Sequence, residues 1–282
     1  MKLVDPKFEE LKYDNPLLLG ERCTRVCYKS EHLAKEGSAK RLLHGIVASG
    51  HTAMIEHISV YLSLTHDDFK NNDDIRISNI LFSPYSKMSH DEKNMYVSTN
   101  LRVIYDCYPE MVDEFFDHDG ERFTYANGIL NNCKFEDSEY FLRRVTILFT
   151  MDRIGSQSFC RHRTFSFAQE STRWCNYIKD KFNNEICIST PCWLKDIDKE
   201  EFEEDMKYIE SLYFKWIGKG YKAEEARYFL PFGLKTEIIM TGFMDAWNNF
   251  FKLRDDSHAH IQAQELAKPL KEYFIEQGYI IS

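Results

Sequence analysis

Apolar positions along the chain change their period several times, and those changes predict the elements. Over residues 21–49, Leu42, Leu43, Ile46 and Val47 fall on one side at helical spacing, with Gly50 placed to close the helix. Residues 58–64 alternate apolar and small polar side chains, as a half-buried strand does. The acidic, amide-rich run from Asp67 to Asp74 reads as a solvated turn; it lacks the glycine and closing glutamate of a calcium loop. Residues 94–116 read as helical apart from Pro109, and residues 117–136 as a polar surface loop. A strong apolar run over 143–150 predicts a strand, after which Asp152 caps a short helix reaching Cys160. Pro191 and Asp196 precede a charged helix over 199–218, and Pro231 stops a further helical stretch. Residues 235–255 predict a long helix whose apolar face is Ile239, Phe243, Ala246, Trp247 and Phe250. Gly242, Asp245 and Asn249 share another of its faces, where a glycine would let a flat ligand approach the backbone. A last helix covers 262–277. These elements predict a mixed α/β (α+β) fold, with helices around a modest central sheet. The expected organisation is a single domain over 1–282, in which 66–140 is an expansion and partly a surface insertion.

Composition narrows the partners. A chain of 282 residues with 43% hydrophobic and 15% aromatic content has ample material for a core, which excludes disorder. A net charge of −9 opposes nonspecific nucleic-acid binding, which needs a basic surface. The eight cysteines include no Cys-x-x-Cys pair, so neither a disulfide framework nor structural zinc is expected, and the thiols read as reduced. His258 and His260 lie two apart without a third ligand, so no metal is assigned. The first ten residues are charged and no apolar run reaches membrane-spanning length, which predicts a cytoplasmic protein without a membrane partner.

Against that acidic background, residues 161–173 gather three arginines, a histidine, two serines and an amide. If this run is extended, Arg161 and Arg163 share one face and Ser166 points away from Phe165 and Phe167. Arginine stays charged and grips phosphate oxygens through two parallel bonds, so the run reads as a positive pocket for a small anion. Elsewhere the chain carries Gly50-His51 with Glu56-His57, Ala226-Arg227 with Leu230-Pro231, and Leu253-Arg254.

The spacing Arg161-His162-Arg163, seven residues, then Ser171, continuing to Arg173, resembles the signature of the flavin-dependent thymidylate synthases, the ThyX family. The three further stretches resemble that family's other elements, and the likeness runs from about Gly20 to the C-terminus, with an expansion before Arg143. It implies conversion of dUMP to dTMP, with 5,10-methylenetetrahydrofolate as carbon donor and NADPH-reduced FAD as hydride source. By the same resemblance, dUMP is assigned to Ser158, Arg161, Gln169, Glu170, Ser171, Arg173, Arg227 and Arg254, with Arg254 catalytic at the pyrimidine ring. FAD is assigned to His51, Ala53, Glu56, Arg161, His162, Arg163, Gln169, Phe243, Asp245 and Asn249. The chain departs from the family at Ala53, Ser158, Ala168, Gln169 and Phe243, where other side chains are usual. The resemblance also implies a homotetramer with active sites between subunits. Pro191-Cys192 looks like the cysteine nucleophile of the unrelated thymidylate synthases, but Trp193 follows it and the dipeptide is set aside. Two other functions fit the residues less well: a flavoprotein NADPH oxidase or reductase on this scaffold, and a non-catalytic nucleotide- or RNA-binding protein.

Overall fold

A computed structural model describes residues 1–280 of the chain. Helices and strands are mixed, as expected, and the strands gather into a four-stranded sheet, a five-stranded sheet and a two-stranded pair. Strands β1 (Lys2–Val4) and β2 (Lys7–Glu10) lead into helix α1 (Pro16–Tyr28). The Asn15 side chain accepts from the Leu17 amide, and Pro16 occupies the first turn, where a missing amide costs nothing. Lys29 ends α1 in the left-handed region at φ 48°, and α2 (Ser38–Ala48) starts only after a separate turn. The single helix expected over 21–49 is therefore two. Gly50 does close α2, at φ 76°.

Strand β3 (Ser59–Thr65) alternates as its sequence requires. The stretch after it departs from expectation. The chain forms α3 (His66–Lys70), α4 (Ile75–Leu81), β4 (Lys87–His90), β5 (Asn94–Asn100), α5 (Leu101–Cys107), α6 (Pro109–Asp117), β6 (Phe123–Tyr125) and β7 (Leu130–Cys133). The predicted helix over 94–116 begins as a strand, because β5 pairs with β3 from Ser59↔Asn100 to Thr65↔Asn94. Pro109 starts α6, and the supposed loop over 117–136 holds the β6–β7 hairpin. Residues 66–140, expected to be partly a surface insertion, are largely built into the fold. They supply four strands of the sheet ordered β4-β5-β3-β7-β6 and bury Ile77, Val97, Leu101, Ile104 and Phe116 beneath it.

Strand β8 (Arg144–Asp152) and helix α7 (Arg153–Phe159) fall where expected, and Asp152 caps α7 by accepting from the Gly155 amide. After β9 (Ser166–Gln169), β10 (Cys187–Ser189), α8 (Lys199–Gly218) and α9 (Ala223–Ala226) come β11 (Lys235–Phe243), α10 (Met244–Arg254) and α11 (Ile261–Glu276). The predicted helix over 235–255 is half strand. β11 lies between β8 and β9 in the sheet ordered β2-β8-β11-β9 and is covered on both faces. Ile238 and Met240 pack with Phe149, Trp247 and Phe250, whereas Ile239 packs with Cys23, Val26 and Leu148. Burial on both sides removes the alternation that marks a strand, so Ile238-Ile239-Met240 satisfies a helical period equally well. Only Ala246, Trp247 and Phe250 keep the expected helical face. Phe149, Phe250 and Phe274 are fully buried there, each contributing roughly 1.5–3 kcal/mol, and they make this layer the rigid platform for the loops above. Among the described residues no helix is long and apolar enough to cross a membrane, and all eight cysteines are free.

Candidate active site

The Arg-His-Arg run is folded into turns and is not extended. His162 N–H donates to the Phe159 carbonyl and Phe165 N–H to the His162 carbonyl, each at 3.1 Å, so extended chain begins only at β9. Arg161 and Arg163 reach solvent while His162 is buried, its ring 5.2 Å from that of Phe250.

Arg254, the last residue of α10, closes onto this turn. Its Nε donates to His162 Nε2 at 3.0 Å and its Nη2 to the Ser158 carbonyl at 2.8 Å. The first bond requires an unprotonated Nε2. Burial, and secondly the charge of Arg254, hold the His162 imidazole down to about 4, so it is neutral at physiological pH. Burial and the Arg161 charge lower Arg254 in turn, and Arg161 therefore belongs to the same cluster. Ser158 enters it through its carbonyl only, since its hydroxyl donates back to the Gly155 carbonyl at 2.7 Å. What results is a fixed cation beside a neutral imidazole, with two exposed arginines at the rim. That arrangement suits a planar ring on which negative charge develops.

Gln169 donates from Nε2 to Ser156 Oγ at 2.7 Å and to Thr236 Oγ1 at 3.3 Å. Glu170 spends its carboxylate elsewhere. It is buried, accepts from Tyr177 Oη at 3.3 Å and from Lys235 Nζ at 3.1 Å, and lies 3.9 Å from Lys29 Nζ. Glu237 completes the network, 2.6 Å from Lys29 and 3.2 Å from Lys235. Burial alone would lower the Lys235 ammonium, but Glu170 and Glu237 outweigh it and raise it. Ser171 N–H donates to the Cys27 carbonyl at 3.1 Å, tying this segment to α1. Arg173 is exposed, its Nε 4.0 Å from Glu224, so the Arg173 loop lies beside α9 and the exposed Arg227 that comes next in the chain.

Three of the residues assigned to flavin, His51, Ala53 and Glu56, sit at the turn Thr52–His57. His51 and Ala53 are exposed there and Glu56 is half-buried, with its carboxyl raised by burial. The Glu56 carbonyl accepts from Ser166 Oγ at 3.1 Å and from Arg144 Nη2 at 2.9 Å. His57 is fully buried, 2.8 Å from Thr241 Oγ1, and burial followed by the Arg144 charge hold it at about 3. A cleft of about 520 Å³ runs from Glu56 between Phe82, Tyr85, Asn100 and Arg102. That volume lies within the range of small-molecule sites and could take a planar cofactor ring. Phe243 is buried, with the Arg144 guanidinium 5.7 Å and the Lys87 ammonium 5.8 Å from its ring. Asp245 is exposed and pairs with Lys87 at 2.5 Å, and Asn249 is exposed further along α10. Gly242 does not face a ligand: a Cβ there would lie 2.6 Å from Phe165, so it makes room for that ring.

The sequence profile of the thymidylate synthase complementing protein family matches residues 107–277, well over half of the chain. The chain belongs to this family. Its relatives include the flavin-dependent thymidylate synthase of Pyrococcus furiosus, 31% identical over 140 residues that cover 48% of this chain and 56% of that one. The flavin-dependent thymidylate synthase of Sulfurisphaera tokodaii is 33% identical over 122 residues, covering 43% and 46% respectively. The chain spans about half the length of these relatives. Among solved structures, a UMP/dUMP methylase, PolB, from Streptomyces cacaoi aligns over 98% of this chain and 93% of its own at 14% identity, with a TM-score of 0.42, too slight a likeness to argue from.

The stretch that matches this thymidylate synthase family contains the Arg161–Arg173 run, Arg227 and Arg254, but the Gly50–His57 turn precedes it. That turn is joined to the matched region by the bonds of Ser166 and Arg144 to Glu56. Sequence reasoning missed Lys87, Asn100, Arg102 and Arg144. Only Arg144 carried a signal: paired arginines head an apolar strand where a single solvent anchor would suffice. Cys192 lacks the marks of an activated nucleophile. Burial and Glu265 push its thiol above the usual range, the reverse of an activated nucleophile.

Proposed function

We propose that the chain is a flavin-dependent thymidylate synthase, converting dUMP to dTMP with methylenetetrahydrofolate as carbon donor and NADPH as the source of reducing equivalents. The observation that carries this reading is the closure of Arg254 onto His162 and Ser158, which joins two motifs 92 residues apart in sequence into one cationic site. Arg254 stabilises negative charge on the uracil ring, making its C5 a better carbon nucleophile, and a fixed cation in a partly dry site does this with little reorganisation. Neutral His162 holds the guanidinium in place through Nε2 and contributes no competing charge. Arg173 and Arg227 clamp the nucleotide phosphate, while Arg161 and Arg163 span nucleotide and cofactor. FAD, when bound, supplies hydride chemistry, and the residues around Glu56 and Phe243 orient it. Exposed Arg227 and Tyr228, the latter 90% accessible, support a homotetramer in which a neighbouring subunit completes the phosphate site. The expected location is the cytoplasm.

The test is tritium release from dUMP labelled at C5, with FAD, NADPH and methylenetetrahydrofolate each omitted in turn. Release should require all three and fall about 10²–10³-fold in Arg254→Ala, as when one preorganised charge donor is removed. NADPH oxidation without any tritium release would replace this reading with a flavoprotein reductase, for which Ala53, Ala168 and Phe243 are the motivating departures. Steeply salt-sensitive RNA binding with no flavin uptake would replace both.

A further inference from the structure

Beside the cleft lies a narrower cavity of about 50 Å³, lined by Lys87, Asn100, Arg144, Thr164, Ser166 and Asp245. Asn100 and the Pro84-Tyr85 turn line both spaces, so the cavity opens off the cleft wall. A water needs roughly 10–15 Å³ of such space, so the cavity has room for about three or four waters or for one oxyanion.

Its polar groups are mostly donors with unspent capacity. Asn100 is only 3% exposed, and its Oδ1 is committed to capping α5 by accepting from the Val103 amide at 3.1 Å. Its amide nitrogen has no partner among the described residues and retains solvent access, unlike the fully enclosed unpartnered atoms His57 Nε2, Asn132 Oδ1 and Ser189 Oγ. Arg144 donates from Nη1 to Ser59 Oγ at 3.2 Å and from Nη2 to the Glu56 carbonyl and Ser166 Oγ, at 2.9 and 3.3 Å. Its Nε–H is unspent, and among the described residues no carboxylate lies at ion-pair distance from it. Its hydrogen bonds all go to neutral oxygens and the Glu56 carboxyl acts on its charge only at longer range, so this half-buried guanidinium would be stabilised by a closer anion. Lys87 adds a second cation, partly neutralised by Asp245 at 2.5 Å, which leaves the cavity with one net positive charge.

We propose that Arg144, Asn100, Thr164 and Lys87 form an oxyanion subsite that seats a phosphoryl or carboxylate group of a ligand whose planar ring occupies the adjoining cleft. The proposal deepens the synthase reading and rests on it for the ligand's identity, because two of that reaction's ligands carry a ring with an appended anion: the flavin nucleotide, and the folate with its carboxylate tail. Lys87 and Asn100 come from the segment that precedes the family-matched region, so this chain supplies the subsite partly from residues of its own.

The experiment measures dissociation constants of riboflavin, FMN, FAD, methylenetetrahydrofolate and a tail-less reduced pterin for the full chain and its variants. Arg144→Gln keeps a donor and removes the charge. It should weaken either the phosphorylated flavins or the tailed folate by tenfold or more, and leave riboflavin or the tail-less pterin within twofold; which pair separates identifies the source. Lys87→Gln should weaken the same ligand about threefold, and Asp245→Asn should tighten it. Unchanged affinities in Arg144→Gln, Lys87→Gln and Asp245→Asn would overturn the subsite. Should Arg144→Gln fail to fold, the exposed Lys87 and Asp245 variants decide alone. If the wild type binds no flavin and no folate, the synthase reading fails and inorganic phosphate becomes the probe. A phosphate-dependent rise in melting temperature that Lys87→Gln removes would then sustain the subsite, and no such rise would overturn it.

Discussion

Gly242→Ala separates two meanings of one glycine. If Gly242 keeps the backbone open to a flat ligand, a methyl group there should reduce flavin affinity and leave the fold untouched. The structure assigns it a different job. A Cβ at this position would lie 2.6 Å from both Cδ1 and Cε1 of Phe165, where ordinary contact begins about an ångström further out. Neither partner can yield easily. Gly242 is held opposite Val145 inside the β8–β11 ladder, and the Phe165 ring is edge-on to Trp247 at 4.6 Å. Overpacking of this kind costs about 1–3 kcal/mol. For a chain of this size that corresponds to a fall in Tm of about 2–6 °C. Thermal unfolding followed by circular dichroism, beside a flavin titration at a temperature where both proteins are folded, measures the two effects separately. An unchanged Tm together with a marked loss of flavin affinity would refute the packing account and restore the glycine to the ligand face.

Charges and thiols set three other outcomes. His57, held at about 3, and His162, held at about 4, both lie below an ordinary imidazole at 6.5. The unfolded chain therefore takes up these protons first, so stability is full above pH 6.5 and is lost as pH falls toward 4 and 3, by about 1.4 kcal/mol per pH unit for each histidine. Urea midpoints that do not drop between pH 7 and pH 5 would contradict this. Glu170→Gln leaves Lys235 buried with only Glu237 opposite it, and should cost about 3 kcal/mol by denaturant unfolding; a loss under about 1 kcal/mol would mean that the network contributes little. Cys192→Ala should retain turnover in the tritium assay, since burial and the neighbouring Glu265 hold that thiol protonated; abolished turnover with an intact fold would make the cysteine a participant.

Local signals were legible in the sequence. Asp152 as a cap, Pro231 as a boundary, Gly50 as a terminator and the alternation of β3 each act within a few residues, so the sequence alone placed them. The resemblance to the family's motifs assigned the Arg161–Arg173 run, Arg227 and Arg254 to one chemistry, because those motifs are written in residue identities. Three things waited for tertiary structure. β11 is buried on both faces and so loses the alternation that distinguishes a strand from a helix. Residues 94–100 carry enough helical character to mislead, and become a strand because β3 offers them a partner. Arg144 and Lys87 meet at one cavity, and Glu170 and Glu237 pair with Lys29 and Lys235, across separations that no local pattern records. Side chains that read as one solvated charge after another become a site only when the fold fixes which of them lack a counter-ion.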